Sequence, residues 1–133
     1  MEKNEKMNLE GLQVLVVDDN LFNQRLISHI LHQWRVSADV ATDGKTAVEM
    51  VSREPYDVVL MDPWMPEMDG YETTRAIRAM EGSYYRNLPI FIFSEADIIP
   101  GRMAECGISG FISESVFHSD DLYQTISPFL KQA

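Results

Sequence analysis

Three short, unbroken apolar runs, at 14–17, Val58–Met61 and 89–93, limit what this chain can become more than any other feature. Runs of this length, rich in β-branched residues, show no polar face. They suit strands covered on both sides, as in a parallel sheet. Weaker runs at Ser37–Ala41 and 110–112 bring the expected strands to five.

Helix-period segments lie between the runs. Phe22, Leu26 and Ile30, with Ile27, Leu31 and Trp34, make one wide apolar stripe at i, i+4 spacing, expected to face the core. Asp43 is placed to cap a helix carrying Ala47, Val48 and Val51, and Asp69 with Glu72 forms a D-x-x-E capping box for a helix bearing Ile77 and Met80. Pro100 and Gly107 bracket a short helix. Ser119, followed by Asp120 and Asp121, is expected to start a last helix that buries Leu122, Ile126, Phe129 and Leu130. A βα unit repeated five times predicts an α/β fold, a five-stranded parallel sheet with helices on both faces. The flavodoxin-like order 2-1-3-4-5 is the expected one, with its crevice at the carboxyl ends of the strands.

At 133 residues and 45% apolar, the chain suits one domain with an adequate core. Residues 1–11 are polar and aperiodic and read as a tail or linker before a domain at 12–131. A net charge of −10 disfavours nucleic acid and anionic membrane as direct partners, since both need clustered cations. Cys106 is the single cysteine, so no internal disulfide can form. With no signal-like start and no bilayer-length apolar stretch, a cytoplasmic protein without membrane insertion is expected.

Three carboxylates stand where the crevice should lie. Asp18 and Asp19 follow the first run directly, and Asp62 follows the third. Strand carboxyl ends of a parallel sheet share one edge, so these residues are expected to converge. Their mutual repulsion calls for a hard cation, and Mg2+ takes oxygen ligands while keeping several waters. An aspartate beside such a cation can act as nucleophile towards a phosphoryl group. Asp18-Asp19-Asn20 alone reads equally as a turn and helix cap, and gains force only from Asp62.

The segment from Asp62 to Gly70, DPWMPEMDG, resembles the D-x-x-M-P-x-M-D-G segment of response regulator receiver domains, and LVVDDN at 15–20 resembles their first strand and acidic pair. The resemblance covers 12–130, and Asn20 and Asn23 in D-D-N-x-x-N look most like receivers of hybrid histidine kinases. It implies that Asp62 is the phospho-acceptor and that Asp18, Asp19, Asp62 and the Trp64 carbonyl hold Mg2+. It also implies that Ser94 contacts the phosphoryl group and that Phe111 is the switch aromatic. Ser94 as a strand-end hydroxyl and Phe111 as a core aromatic are the plainer alternatives. A histidine kinase or phosphotransfer protein is the implied donor, and activity is limited to transfer onto Asp62. No phosphotransfer role falls to His29, His32 or His118. No output segment follows Leu130, so output is expected to pass through protein contacts.

Departures from the family cluster on one side of the pocket. Receivers carry a Lys three residues after the fifth-strand aromatic, followed by Pro; here Glu114 and Ser115 stand there. Glu95 replaces the small residue after Ser94, and Pro63 follows the acceptor without an N–H to donate. At about 5 Å and an effective dielectric near 20, each added unit charge pair is worth about 3 kcal/mol, so Lys replaced by Glu disfavours an incoming phosphoryl group if both glutamates point inward, and costs little if they turn into water. The span from Ser94 to Phe111 is also short, which implies a stunted fourth helix. Two readings follow: a working phospho-acceptor, or a pseudo-receiver that acts as a protein-interaction module without the switch. A dehalogenase-type phosphatase lacks its D-x-D motif here, and no P-loop or G-x-G-x-x-G is present.

Overall fold

The computed structural model describes residues 10–94, 99–113, 124–125 and 127–129. Five strands, β1 (Gln13–Val17), β2 (Ser37–Ala41), β3 (Val58–Met61), β4 (Ile90–Ser94) and β5 (Gly110–Ser113), form one sheet. Every pair is parallel, as expected from the apolar runs, and the order β2-β1-β3-β4-β5 is the flavodoxin-like one expected for this βα repeat. Crossovers on opposite sides of β1 make the carboxyl ends of β1 and β3 the switch point of the sheet, where such folds place ligands.

Alternation along the strands feeds two cores. Val14, Val16, Val58, Leu60, Phe91, Phe93 and Ile112 pack on one face against α1 (Leu21–Gln33). Leu15, Val17, Val59, Met61, Ile90 and Ile92 pack on the other against α2 (Gly44–Arg53), α3 (Gly70–Arg78) and Cys106 of α5 (Pro100–Cys106). The caps expected at Asp43 and Asp69 are present, while Ser119, with Asp120 and Asp121, lies outside the described residues. Asp43 accepts from the Thr46 N–H, and Asp69 and Glu72 close a reciprocal capping box. The α5 helix is seven residues long, with Pro100 in its first turn and Gly107 left-handed at φ 84° behind it.

Three expectations need correction or fall outside the description. The buried face of α1 carries Gln24, Ile27 and Leu31, with Trp34 after its end, whereas Phe22 is 72% and Leu26 40% exposed. The apolar residues of α1 occupy two adjacent faces, and only the 27/31/34 face meets the sheet; the 22/26 face looks outward. A further short helix, α4 (Ser83–Asn87), lies between α3 and β4. Its sequence, SYYRN, has no apolar period, which is why it escapes a periodicity reading. Of the expected last helix, helical Gln124–Thr125 and a 3-10 turn at Ser127–Phe129 are described, and Pro128 in that turn has no N–H to extend an α-helix. Leu122, Ile126 and Leu130, and the side chain of Phe129, lie outside the described residues.

Candidate functional site

The carboxyl ends of β1 and β3 bring Asp18, Asp19 and Asp62 together. One carboxylate oxygen from each lies within 4.8 Å of the other two. The register explains this, because Val17 pairs with Met61 and the chain continues from both into the carboxylates. The Asp62 N–H donates to the Val17 carbonyl at 2.8 Å, and the Asp18 N–H to the Ala41 carbonyl at 3.1 Å, so both main chains remain tied to neighbouring strands.

The three groups differ in surroundings. Asp18 is 1% exposed, Asp19 is exposed and Asp62 is half-buried. Asp18 Oδ1 accepts the Asn20 N–H at 2.9 Å. Burial still raises the Asp18 carboxyl above its ordinary value, opposed by Asn20 and by the Asn23 side chain. Asp62 is pushed up to about 7, first by burial and then by the charges of Asp18 and Asp19, against the Trp64 N–H, which lowers it. A cation seated among them would offset the mutual repulsion that helps raise Asp62, and would have to displace the proton held there. Three hard oxygen donors with an open side fit Mg2+ or Ca2+.

The loop after Asp62 is held from below and from the side. Pro63 is buried, and its carbonyl accepts the Gly70 N–H at 3.0 Å. Gly70 opens α3 against Asp62; a Cβ there would collide with the Asp62 carbonyl oxygen and come within 2.8 Å of Pro63 Cα. The glycine of the motif is thus a close-approach residue. Trp64, half exposed, sets its ring edge-on to Tyr71, 5.9 Å between centroids. Tyr71 is fully buried, with the Arg102 guanidinium 4.5 Å over its ring, while its hydroxyl accepts the Ile99 N–H at 3.2 Å. Arg102 also reaches Asp69 at 3.4 Å. The loop after Asp62 and the start of α5 therefore share one aromatic hub that the motifs alone do not reveal.

Ser94 ends β4 at the same sheet edge and is buried. Phe111 is level with Ile92 on β5, partly buried against the α2/α3 core. Glu95, Glu114 and Ser115 lie outside the described residues. Leu21, Phe22 and Leu26 on α1, with Trp64 and Ile99, are large apolar side chains left exposed. No described helix is long and apolar enough to cross a membrane.

Comparison with known proteins agrees with this architecture. The family described as response regulator receiver domain matches residues 14–127. The hybrid signal transduction histidine kinase B of Dictyostelium discoideum is 46% identical over 129 residues, covering 89% of this chain and 7% of that protein. The chain spans a small part of the curated relatives it matches; for probable histidine kinase 4 of Oryza sativa the share is 14%. Among solved structures, the receiver domain of histidine kinase CKI1 from Arabidopsis thaliana, complexed with Mg2+ and BeF3-, superimposes with a TM-score of 0.83 at 30% identity. That match covers 95% of this chain and 94% of the other. A sensor histidine kinase receiver from Pseudomonas aeruginosa, with magnesium coordinated in its active site cleft, gives 0.79 at 30% identity, covering 90% and 97%.

Proposed function

The chain belongs to the response regulator receiver family, and from that premise we propose that it is a phospho-acceptor module of a two-component relay, with Asp62 accepting a phosphoryl group in a divalent-cation pocket. The convergence of Asp18, Asp19 and Asp62 within 4.8 Å carries this reading. In it, the three carboxylates and the Trp64 carbonyl would hold Mg2+, which would supply positive charge for the transferred oxygens. The remaining work belongs to the chain. The Trp64 N–H, at 3.1 Å from Asp62 Oδ1, orients the nucleophile and leaves the other oxygen for attack. An Asp62 carboxyl held near 7 without a cation is partly protonated at neutral pH, and a bound cation would favour its ionised, nucleophilic form. Ser94, at the same edge, is the hydroxyl assigned to the phosphoryl oxygens.

The donor in this reading is the phosphohistidine of a histidine kinase or phosphotransfer protein. Exposed Leu21 and Trp64, each two residues along the chain from a pocket aspartate, support a protein donor, because they give a partner something to bury besides charge. Calorimetric titration with Mg2+ tests the cation half. The parent should bind at millimolar concentration or tighter, and Asp19→Asn or Asp62→Asn should weaken binding at least tenfold. A folded parent that takes up no Mg2+ contradicts the proposal.

Glu114 and Glu95 favour a second reading, a pseudo-receiver that keeps the fold and the cation but transmits no phosphorylation signal. Labelling of Asp62 by a small phosphodonor separates the two.

A further inference from the structure

Gln24 is a polar residue in register with the core stripe of α1, three positions before Ile27 and seven before Leu31. It is 9% exposed. Burying an amide there is costly unless it is hydrogen-bonded. Its Nε2 donates to the Asp18 main-chain carbonyl at 2.7 Å. We propose that Gln24 is a positioning residue for the acid pair, fixing the Asp18–Asp19 peptide so that both carboxylates meet Asp62, and thereby setting the affinity of the pocket for a divalent cation. This inference rests on the cation reading above.

Hydrogen bonds hold Asp18 on its main chain and on its side chain. Its N–H is bonded to Ala41 of β2, its Oδ1 to the Asn20 N–H, and its carbonyl to Gln24. The first two ties hold the main chain before Asp18 and the side chain itself. Of these bonds, the Gln24 tie is the one that acts on the peptide plane leading into Asp19, because that plane contains the Asp18 carbonyl and the Asp19 N–H. With the tie gone, the buried carbonyl turns to find another donor and Asp19 turns with it. Asp19, exposed at the rim, has less packing to oppose that rotation. Partners that orient metal ligands in this indirect way commonly contribute about 10–100-fold in metal affinity. α1 is also the helix that carries exposed Leu21, Phe22 and Leu26, so Gln24 joins the outward face of α1 to the pocket.

The experiment is a Mg2+ titration of the whole chain, by calorimetry and by the thermal shift at saturating Mg2+, on the parent, Gln24→Met and Ile27→Val. Methionine matches glutamine in length and suits a core position but donates nothing; Ile27→Val loosens the same helix face without touching Asp18. Gln24→Met should weaken Mg2+ binding about tenfold, while Ile27→Val keeps parental affinity at a comparable loss of thermal stability. Gln24→Asn, one methylene short of the Asp18 carbonyl, should act in the same direction if Gln24→Met does not fold. Parental affinity in the Gln24 variants, or an equal loss in Ile27→Val, overturns the proposal. A parent that binds no Mg2+ overturns the cation reading itself, an outcome read before any variant is compared.

Discussion

The Trp64 N–H donates to Asp62 Oδ1 at 3.1 Å, across a proline that has no N–H of its own to offer. Pro63, a departure from the family pattern, therefore does not leave the acceptor carboxylate without a main-chain donor. Its buried ring and the 3.0 Å bond from the Gly70 N–H to its carbonyl stiffen the loop that presents Asp62. What a carboxylate so placed does with protons and cations gives the first expectation.

Without a cation, Asp62 keeps its proton up to about pH 7 in the folded chain, against an ordinary value of 3.8. Between those values the folded state binds more protons than the unfolded state, so stability falls as pH rises from about 4 to about 7 and then levels. Because the group is partly open to water, the loss should be about 1–2 kcal/mol, less than the full shift implies. Denaturant unfolding in chelator across this range checks it: Asp62→Asn should flatten the slope, and Mg2+ should reverse it above pH 6.

Gly70→Ala should be costly for a steric reason alone. The added methyl meets the Asp62 carbonyl oxygen and Pro63 Cα, so either α3 or the acceptor loop must move. Overpacking of this kind costs roughly 1–3 kcal/mol. Urea midpoints and Mg2+ affinity should fall together, because the atom displaced belongs to the acceptor itself.

Much of this was legible in the sequence. The runs 14–17 and Val58–Met61 are buried throughout and end in the carboxylates, so parallel pairing alone brings Asp18, Asp19 and Asp62 to one edge. The capping box at Asp69 and the Pro100–Gly107 bracket are local chemistry, and local chemistry reads well. The orientation of α1 did not, because its apolar residues cover two adjacent faces and periodicity cannot say which meets the sheet. A signal for Gln24 was present: a long polar side chain three and seven positions before core residues marks a buried hydrogen bond. The Trp64–Tyr71–Arg102 hub joins residues far apart in sequence whose contact depends on how α3 and α5 pack, and no spacing rule carries that.

That hub gives a further expectation. Tyr71→Phe keeps the ring beneath Arg102 but removes the hydroxyl that accepts the Ile99 N–H. The loss should be about 1 kcal/mol, and its local signature matters more. Amide exchange should quicken at Ile99 and through α5, while the β1 and β3 amides, buried in the sheet, keep parental rates. Uniform acceleration across the chain would mean that Tyr71 serves global stability alone.

The central claim is that Asp62 accepts a phosphoryl group in a cation-dependent pocket, with Glu95 and Glu114 damping the reaction. Intact mass measurement after incubation with Mg2+ and a small phosphodonor tests it most directly, on the parent, Asp62→Asn and Glu95→Ala combined with Glu114→Lys. The parent should gain one phosphoryl group slowly and only with Mg2+, the double variant should gain it several-fold faster, and Asp62→Asn should gain none. No label on either the parent or the double variant, with Mg2+ bound and the chain folded, would contradict the account.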